Sequence, residues 1–371
     1  MQDKTNVSWR DIRSNIDIPM LIVTLTLFFL GLLAIRSADT GSSVSILTSF
    51  AFRQFLWGVL SAFVYIAVLK IGYQKFFKAA LPLFIITIVI LLVLLIIGHT
   101  SKGAQSWFKF GSIRFQPSEI GKVVFAITLA AVCDKFPPVS LRGMMPAVCV
   151  SGVIITLILL QPDLGSCLVY SAMLFAVLIV GGAPIKILAG ALLSALALLP
   201  VGWFILKPYQ RMRLLVFIDP TVDPQGAGYN VIQSRIAVGS GGLFGKGLMQ
   251  GTQAKLHFLP EPHTDFIFSV FSEEAGFIGS SIVIILFVIL FWKLLAVAQY
   301  TKDTEAKFMV TAVTAWLWFQ AAESVAMSMG LAPVTGLPLP LFSYGGSSLL
   351  AVAVGLALVQ SVSIISKKDR F

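Results

Sequence analysis

Long apolar runs recur along this chain, separated from one another by shorter polar stretches. Ten runs stand out, at 18–35, 50–69, 79–98, 119–133, 144–161, 164–182, 185–206, 266–292, 308–330 and 346–365. A helix needs about 20 apolar residues to cross the hydrocarbon core of a bilayer, and these runs approach that length. The pattern predicts an all-α polytopic membrane protein with about ten transmembrane helices.

An even number of spans places both termini on the same side of the membrane. With a cytoplasmic amino terminus, 15 of the 27 Lys and Arg residues lie inside and every inner loop is basic. Most of the outer basic residues fall within two segments, 99–122 and 207–264. Because cytoplasmic loops carry an excess of Lys and Arg, we expect both termini in the cytoplasm. The first span carries no cleavage pattern and is expected to stay as a signal anchor.

The connection 207–264, between the seventh and eighth spans, is too long for a structureless loop. We expect it to contain helices of its own and to fold over a site on the extracytoplasmic face, as part of a single domain covering 1–371. Its glycine-rich run 239–247 fails the phosphate-loop pattern, because Ser240 and Gly247 stand where that pattern needs Gly and Ser or Thr. A flexible turn is expected there, with contact between Lys246 and a lipid phosphate as the alternative.

The amino-acid composition excludes several classes of protein. Hydrophobic residues make up 57% of the chain and charged residues 12%, with a mean hydropathy of +0.91, which excludes a set of soluble domains. The net charge of +10 is explained by cytoplasmic loops and an anionic ligand rather than by nucleic acid. The three histidines are too scattered for a zinc site, and the three cysteines suggest no disulfide framework.

Residues 343–348 do not form a potassium filter, because the Thr-Val-Gly-Tyr-Gly order is absent. Pro333, Pro338 and Pro340 precede this stretch at membrane depth. Non-helical backbone at that depth needs protein or water around it. The prolines therefore predict a re-entrant loop.

Charged residues inside the spans are costly, at about 2.5–3.5 kcal/mol each, and indicate function by default. Glu119 and Lys122 lie three residues apart at the start of a span, so they share a helix face. A buried ion pair that only fixes helix packing is the alternative. Glu273, Glu274 and Glu323 raise the same question within later spans.

Asp265 lies where the long connection meets the eighth span, beside His263 and Thr264. Its carboxylate is expected at the membrane surface, where it could act on a substrate. Capping of the following helix by Thr264 or Asp265 is the structural alternative. Asp163, in a short outer turn, is better explained as a helix cap.

Basic residues converge on the outer face around these carboxylates. Nine of them are Lys102, Lys109, Arg114, Lys207, Arg211, Arg213, Arg235, Lys246 and Lys255. Such a concentration is unusual outside the cytoplasm and predicts a bound anion. A phosphate-bearing substrate is favoured over anionic lipid headgroups.

Several separated strings together resemble the SEDS family of bacterial envelope proteins over nearly the whole chain. They are Ser101–Gln105, Arg114–Ile120, Gln161–Gly165, Phe258–Phe268 and Pro338–Ser347. The short amino terminus, Gln161, and the stretches 219–229 and 251–253 are more similar to the elongation member than to the division member. Two positions depart from the family pattern: Ser106 stands where relatives often carry Arg, and Ser324 where they often carry Asn.

The resemblance implies a membrane peptidoglycan glycosyltransferase that polymerises lipid II on the outer face of the cytoplasmic (inner) membrane during cell elongation. It implies a single inverting displacement that releases undecaprenyl pyrophosphate. The expected partners are a class B penicillin-binding protein, other membrane proteins of the elongation complex, and membrane lipids.

The resemblance places the family's essential aspartate at Asp265 and its intramembrane pair at Glu119 and Lys122. Joining two sugars requires a carboxylate to take the acceptor's hydroxyl proton, so Asp265 is the expected catalytic base. The expected substrate-binding residues are Lys102, Arg114, Glu119, Lys122, Arg211, Arg213, Lys246, Ser343 and Ser347. Basic side chains or a divalent cation, Mg²⁺ or Mn²⁺, would neutralise the pyrophosphate. A lipid II flippase and a non-catalytic scaffold remain the alternative functions.

Overall fold

The structure is a computed structural model that describes residues 9–39, 49–101, 104–111 and 113–368. Helices dominate these ranges. They are α1 (Trp9–Asn15), α2 (Ile18–Ala38), α3 (Phe50–Ile71), α4 (Tyr73–Lys78), α5 (Ala80–Ile97), α6 (Pro117–Lys135), α7 (Leu141–Leu160), α8 (Leu164–Val180), α9 (Ile185–Ala197), α10 (Leu199–Ile205), α11 (Pro208–Ile218), α12 (Ala227–Ser240), α13 (Thr252–Lys255), α14 (Ile267–Tyr300), α15 (Thr304–Ser328) and α16 (Gly346–Lys368).

Within the described ranges, six helices are long and apolar enough to cross a membrane, namely α2, α3, α5, α7, α14 and α16. Two shorter apolar helices, α8 and α9, coincide with further predicted spans. The remaining predicted spans, 119–133 and 308–330, coincide with α6 and α15, whose side chains are mostly buried. The polytopic helical class is confirmed, and the number of ten crossings stays a prediction.

The predicted seventh span, 185–206, is divided into α9 and α10 at Leu198. Pro200 lies in the first turn of α10. Proline has no N–H group and disfavours helical geometry at the residue before it, which explains the end of α9 near this point.

The centre of the bundle is formed by α6, α15 and α16, whereas α3 and α5 present apolar side chains outward. Phe63 and Ile96 are 68% and 81% exposed. In water such surfaces would be unfavourable, but lipid tails solvate them well. The outer apolar surface therefore fits a chain that spans a membrane.

Both ends of the described chain meet at one end of the bundle. The Lys368 ammonium lies 3.0 Å from an Asp11 carboxylate oxygen, and Lys367 donates to the Asn15 carbonyl at 3.3 Å. This proximity agrees with an even number of crossings.

A small antiparallel sheet, which the helical prediction did not include, connects α5 and α6. It consists of β1 (His99–Ser101), β2 (Ala104–Phe110) and β3 (Ile113–Phe115) in that order. Lys109 pairs with Arg114 across β2 and β3, around a turn at Gly111 with a φ of 61°. β1 and β3 have three residues each, and β2 does not alternate polar and apolar residues, which explains why the prediction missed them.

The long connection contains helices, as predicted: α11, α12 and α13, with a 3-10 turn at Pro220–Val222. Its glycine-rich run is a packed turn rather than the flexible one expected. Lys246 N donates to the Glu273 carbonyl at 3.0 Å, and Phe277 N donates to the Gly242 carbonyl at 2.8 Å. These bonds dock the turn onto α14 where that helix is interrupted at Gly276, which has a φ of 64°.

Candidate active site

A cavity of about 370 Å³ opens where the long connection meets the start of α14. Its lining is Arg213, Ala227, Asn230, Pro260, Glu261, Asp265, Phe266 and Val334. These residues come from α11, α12, the segment before α14, and the non-helical segment after α15. Asp265 is therefore part of a cavity wall that four separate parts of the chain build.

Asp265 does not serve as the N-cap residue of α14. That position belongs to Phe266, whose side chain makes no capping hydrogen bond. The prediction that Thr264 or Asp265 caps α14 is therefore wrong. Asp265 instead faces the cavity and the backbone of Gly336, whose Cβ, if it had one, would lie 3.8 Å from Asp265 Oδ2.

Arg213 brings a positive charge into the same cavity from α11. Its Nη1 lies 3.5 Å from the Thr335 carbonyl oxygen, and its guanidinium carbon lies 5.7 Å from the centre of the Tyr209 ring. Tyr209 in turn donates its hydroxyl to the Pro162 carbonyl at 2.9 Å. Partial burial raises the pKa of Tyr209, although the Arg213 charge acts in the opposite direction. The Tyr209 side chain thus stays uncharged, and its ring packs against the Arg213 guanidinium group.

Glu323 is a further carboxylate near the cavity, and sequence reasoning assigned it no role. It is 9% exposed and accepts a hydrogen bond from the Thr335 hydroxyl. The charges of Asp265 and Arg213 both act on it. A charged residue inside a predicted span was the available signal that Glu323 has a function. The sequence could not show which residues surround it, because they come from elements distant along the chain.

Ser343, a predicted substrate contact, is buried and bonded within the protein. Its hydroxyl donates to the Thr264 carbonyl and accepts from Leu339 N, both at 2.8 Å. Tyr344 N also donates to the His263 carbonyl at 2.9 Å. The non-helical segment 329–345, between α15 and α16, therefore holds the backbone that carries Asp265, and substrate contact by Ser343 stays a prediction.

Ser347 and Arg114 lie outside the cavity lining. Ser347 accepts a hydrogen bond from Gln116 N at 3.2 Å, and the Gln116 amide donates to Asp163 at 3.3 Å. Asp163 also accepts from Ser166 N at 3.0 Å and caps α8, as predicted. Arg114 is exposed on β3. Ser347, Gln116, Asp163 and Ser166 form a second polar cluster where α6, α8 and α16 begin.

Glu119 and Lys122 form the predicted ion pair, with 2.7 Å between the ammonium and a carboxylate oxygen. Both side chains are buried, and Lys122 also donates to Gln320 Oε1 at 3.0 Å. The Gln320 amide donates to the Pro338 carbonyl at 2.7 Å. The pair thus links α6 and α15 to the non-helical segment 329–345, which supports the structural interpretation without testing substrate contact.

The structure does not bring Lys246 or Arg211 into the cavity lining. The Lys246 ammonium lies 2.6 Å from Glu273 Oε1. Arg211 donates to the Phe204 carbonyl at 2.9 Å. Their substrate contacts remain predictions. Lys102 lies outside the described residues.

Glu261 and Asn230 line the cavity although neither was predicted as a site residue. Glu261 belongs to the motif string that precedes Asp265, which was an available signal. Asn230 lies on α12, and no pattern in the sequence marks it.

A metal site built by the protein alone is not supported. In the part of the chain that the structure describes, no group of three or more His, Cys, Asp or Glu side chains could hold a metal ion. Binding of Mg²⁺ or Mn²⁺ stays a prediction, and we assign no step to such an ion.

Comparison with known proteins gives consistent matches over most of the chain. A family model for FtsW, RodA and SpoVE, described as "Cell cycle protein", matches residues 18–368. The chain is 36% identical to peptidoglycan glycosyltransferase MrdB of Escherichia coli (strain K12), covering 94% of this chain and 93% of that protein. It is 30% identical to peptidoglycan glycosyltransferase RodA of Treponema pallidum, covering 94% and 98% respectively.

Solved structures show the same fold. A chain from "Structural coordination of polymerization and crosslinking by a peptidoglycan synthase complex" superposes with a TM-score of 0.82 at 29% identity, covering 96% of this chain and 99% of that one. The crystal structure of Thermus thermophilus RodA gives a TM-score of 0.72 at 29% identity, covering 96% and 98%. The chain therefore belongs to the FtsW, RodA and SpoVE family, the SEDS family that its motifs resemble.

Proposed function

We propose that this chain is a peptidoglycan glycosyltransferase that joins lipid II units into glycan strands and releases undecaprenyl pyrophosphate. Its relatives carry the name of that activity. The observation that carries the proposal is the placement of Asp265 and Arg213 in the wall of one cavity. One supplies a proton acceptor and the other a fixed positive charge.

The reaction needs both groups. The 4-hydroxyl of the acceptor sugar attacks the anomeric carbon of the donor, and the bond from that carbon to the diphosphate oxygen breaks. Asp265 accepts the hydroxyl proton, a role typically worth about 100- to 10,000-fold in rate. Arg213 stabilises the negative charge that develops on the leaving diphosphate. A diphosphate leaves without protonation by a strong acid, so one inverting displacement is sufficient.

We also propose roles for other residues that the sequence predicted to bind the substrate. Glu119 and Lys122 would brace α6 against α15 through Gln320. Arg114 and Ser347 lie where α6 and α16 begin. Arg211 lies near Arg213 on α11 and could contact the substrate at the membrane surface. Exposed basic side chains there favour the diphosphate of a lipid-linked substrate.

We also propose the location and partners. The chain would lie in the cytoplasmic membrane with both termini in the cytoplasm and the Asp265 cavity on the outer face, as the distribution of basic loops suggests. One structural relative comes from a complex that coordinates polymerization and crosslinking. A class B penicillin-binding protein is accordingly the proposed partner, alongside other membrane proteins of the elongation complex.

The decisive experiment is polymerisation of purified lipid II in detergent by the wild-type chain and by Asp265→Asn, each co-purified with its class B partner. Asp219→Asn is the matched control, since Asp219 lies in the same long connection and bonds to Thr221 outside the cavity. We expect glycan ladders from wild type and Asp219→Asn, and none from Asp265→Asn. Ladders from a folded Asp265→Asn variant would remove Asp265 from the reaction, and folded wild type without ladders would favour a flippase or scaffold.

A further inference from the structure

Glu323 is buried on α15 behind the wall of the Asp265 cavity. Its carboxylate accepts a hydrogen bond from the Thr335 hydroxyl, while its second oxygen has no hydrogen-bond partner in the described part of the chain. A buried carboxylate is costly when it is not fully bonded. Packing alone would be served as well by an apolar side chain at this position, so the buried carboxyl group requires another explanation.

Thr335 connects Glu323 to the cavity. The preceding residue, Val334, lines the cavity, and the following residue, Gly336, faces the Asp265 carboxylate. The Thr335 carbonyl oxygen lies 3.5 Å from Arg213 Nη1. The side chain of Thr335 is thus held by Glu323 while its backbone contacts the cationic group of the site.

The electrostatic arrangement agrees with this connection. The charges of both Asp265 and Arg213 act on the Glu323 carboxylate. Asp265 and Glu323 come from different parts of the chain, and Arg213 shares the cavity wall with Asp265.

We propose that Glu323 is a positioning residue for glycosyl transfer: by holding Thr335, it fixes the 334–336 segment and the Arg213 side chain beside Asp265. The inference rests on the proposed function, because it concerns the same reaction. Glu323 does not line the cavity and acts through Thr335 and Arg213 rather than on the substrate. A displacement of about 1 Å in such a site can cost about 100-fold in rate, which makes the restraint measurable.

The test uses paired variants of the full chain co-purified with its class B partner. Glu323→Ala and Thr335→Val remove the hydrogen bond, whereas Glu323→Gln and Thr335→Ser preserve an acceptor and a donor. We expect the first pair to lower kcat by about 10- to 100-fold with KM for lipid II changed by less than about 3-fold. The second pair is expected to retain at least about one third of wild-type kcat.

A double-mutant cycle separates positioning from a general loss of packing. In an Arg213→Ala background, Glu323→Ala is expected to lower kcat by less than about 2-fold further, because its effect passes through Arg213. Ser324→Ala is the matched control. Ser324 is the next residue on α15, is also buried, and its hydroxyl has no hydrogen-bond partner in the described chain, so wild-type kcat is expected.

Several outcomes would overturn the inference while leaving the proposed function in place. They are wild-type kcat in Glu323→Ala, loss of activity in Glu323→Gln equal to that in Glu323→Ala, or multiplicative effects in the Arg213→Ala background. Wild type and Asp265→Asn run in parallel. A folded wild type without glycan product would instead overturn the proposed function and this inference together.

Discussion

The Lys246 ammonium and the Glu273 carboxylate, 27 positions apart in the chain, lie 2.6 Å from each other. Glu273 Oε1 also accepts hydrogen bonds from Thr252 N and the Thr252 hydroxyl, both at 2.9 Å. The Glu273 side chain is fully buried, whereas that of Lys246 is 30% exposed. Lys246 therefore has a counter-ion inside the protein, and its ammonium closes the long connection onto α14.

Replacing Lys246 should affect stability more than substrate affinity. Lys246→Met removes the strongest donor to a buried carboxylate, which costs about 1–3 kcal/mol. We expect a lower Tm in detergent and a KM for lipid II within about 2-fold of wild type. Lys255→Met, an exposed site in the same connection, serves as the control for Tm. A large rise in KM at an unchanged Tm would support the predicted phosphate contact instead.

The Glu119–Lys122 pair can be tested by removing one charge and then both. Lys122→Met leaves Glu119 buried without its ion-pair partner, which we expect to cost about 3–5 kcal/mol. The double variant Glu119→Gln with Lys122→Met removes both buried charges, so most of the stability should return.

Activity of the stabilised double variant decides the role of this pair. Substantial polymerisation by the double variant would mean that the charges only brace α6 and α15. A folded double variant with no glycan product would show that the charges serve the reaction.

Two arginines on α11 provide a test of the cavity assignment. Arg213 lines the cavity, whereas Arg211 donates to Phe204 and lies over Trp203 with 6.0 Å to the ring centre. We expect Arg213→Ala to lower kcat/KM by about 100-fold or more, as for removal of one group that stabilises transition-state charge. Arg211→Ala should cost less than about 10-fold, measured as the initial rate of lipid II consumption. Equal losses would place the diphosphate across both side chains rather than in the cavity.

Gly276 is expected to be intolerant of any side chain. A Cβ there would lie 2.3 Å from Gly245 N, at a φ of 64° that side chains rarely adopt. Gly276→Ala should therefore lower the yield of folded protein and its Tm. Gly239→Ala is the matched control, since nothing lies within 4 Å of a Cβ at that position in α12. A Tm for Gly276→Ala equal to that of Gly239→Ala would contradict the docked turn.

Local patterns were enough to predict the helices and several of the polar features. Glu119 and Lys122 were paired correctly because an i,i+3 spacing fixes their relative position within one helix. The prolines around Pro338 predicted non-helical backbone because they cannot donate the hydrogen bonds that a helix needs. Asp265 was singled out by its place at the start of an apolar run and by its motif; it lines the cavity, and its catalytic role stays a prediction.

Only the tertiary structure decided which distant groups meet. Lys246 could have faced a phosphate or a carboxylate, and the docking of its turn onto the interrupted α14 selects Glu273. Glu323 is near Asp265 and Arg213 because α11, α15 and the 334–336 segment pack together. The sequence by itself determined most of the helical segments and which of them contain charged residues, since those depend on neighbours along the chain. The partners of each charge depend on long-range packing, which side-chain spacing does not encode.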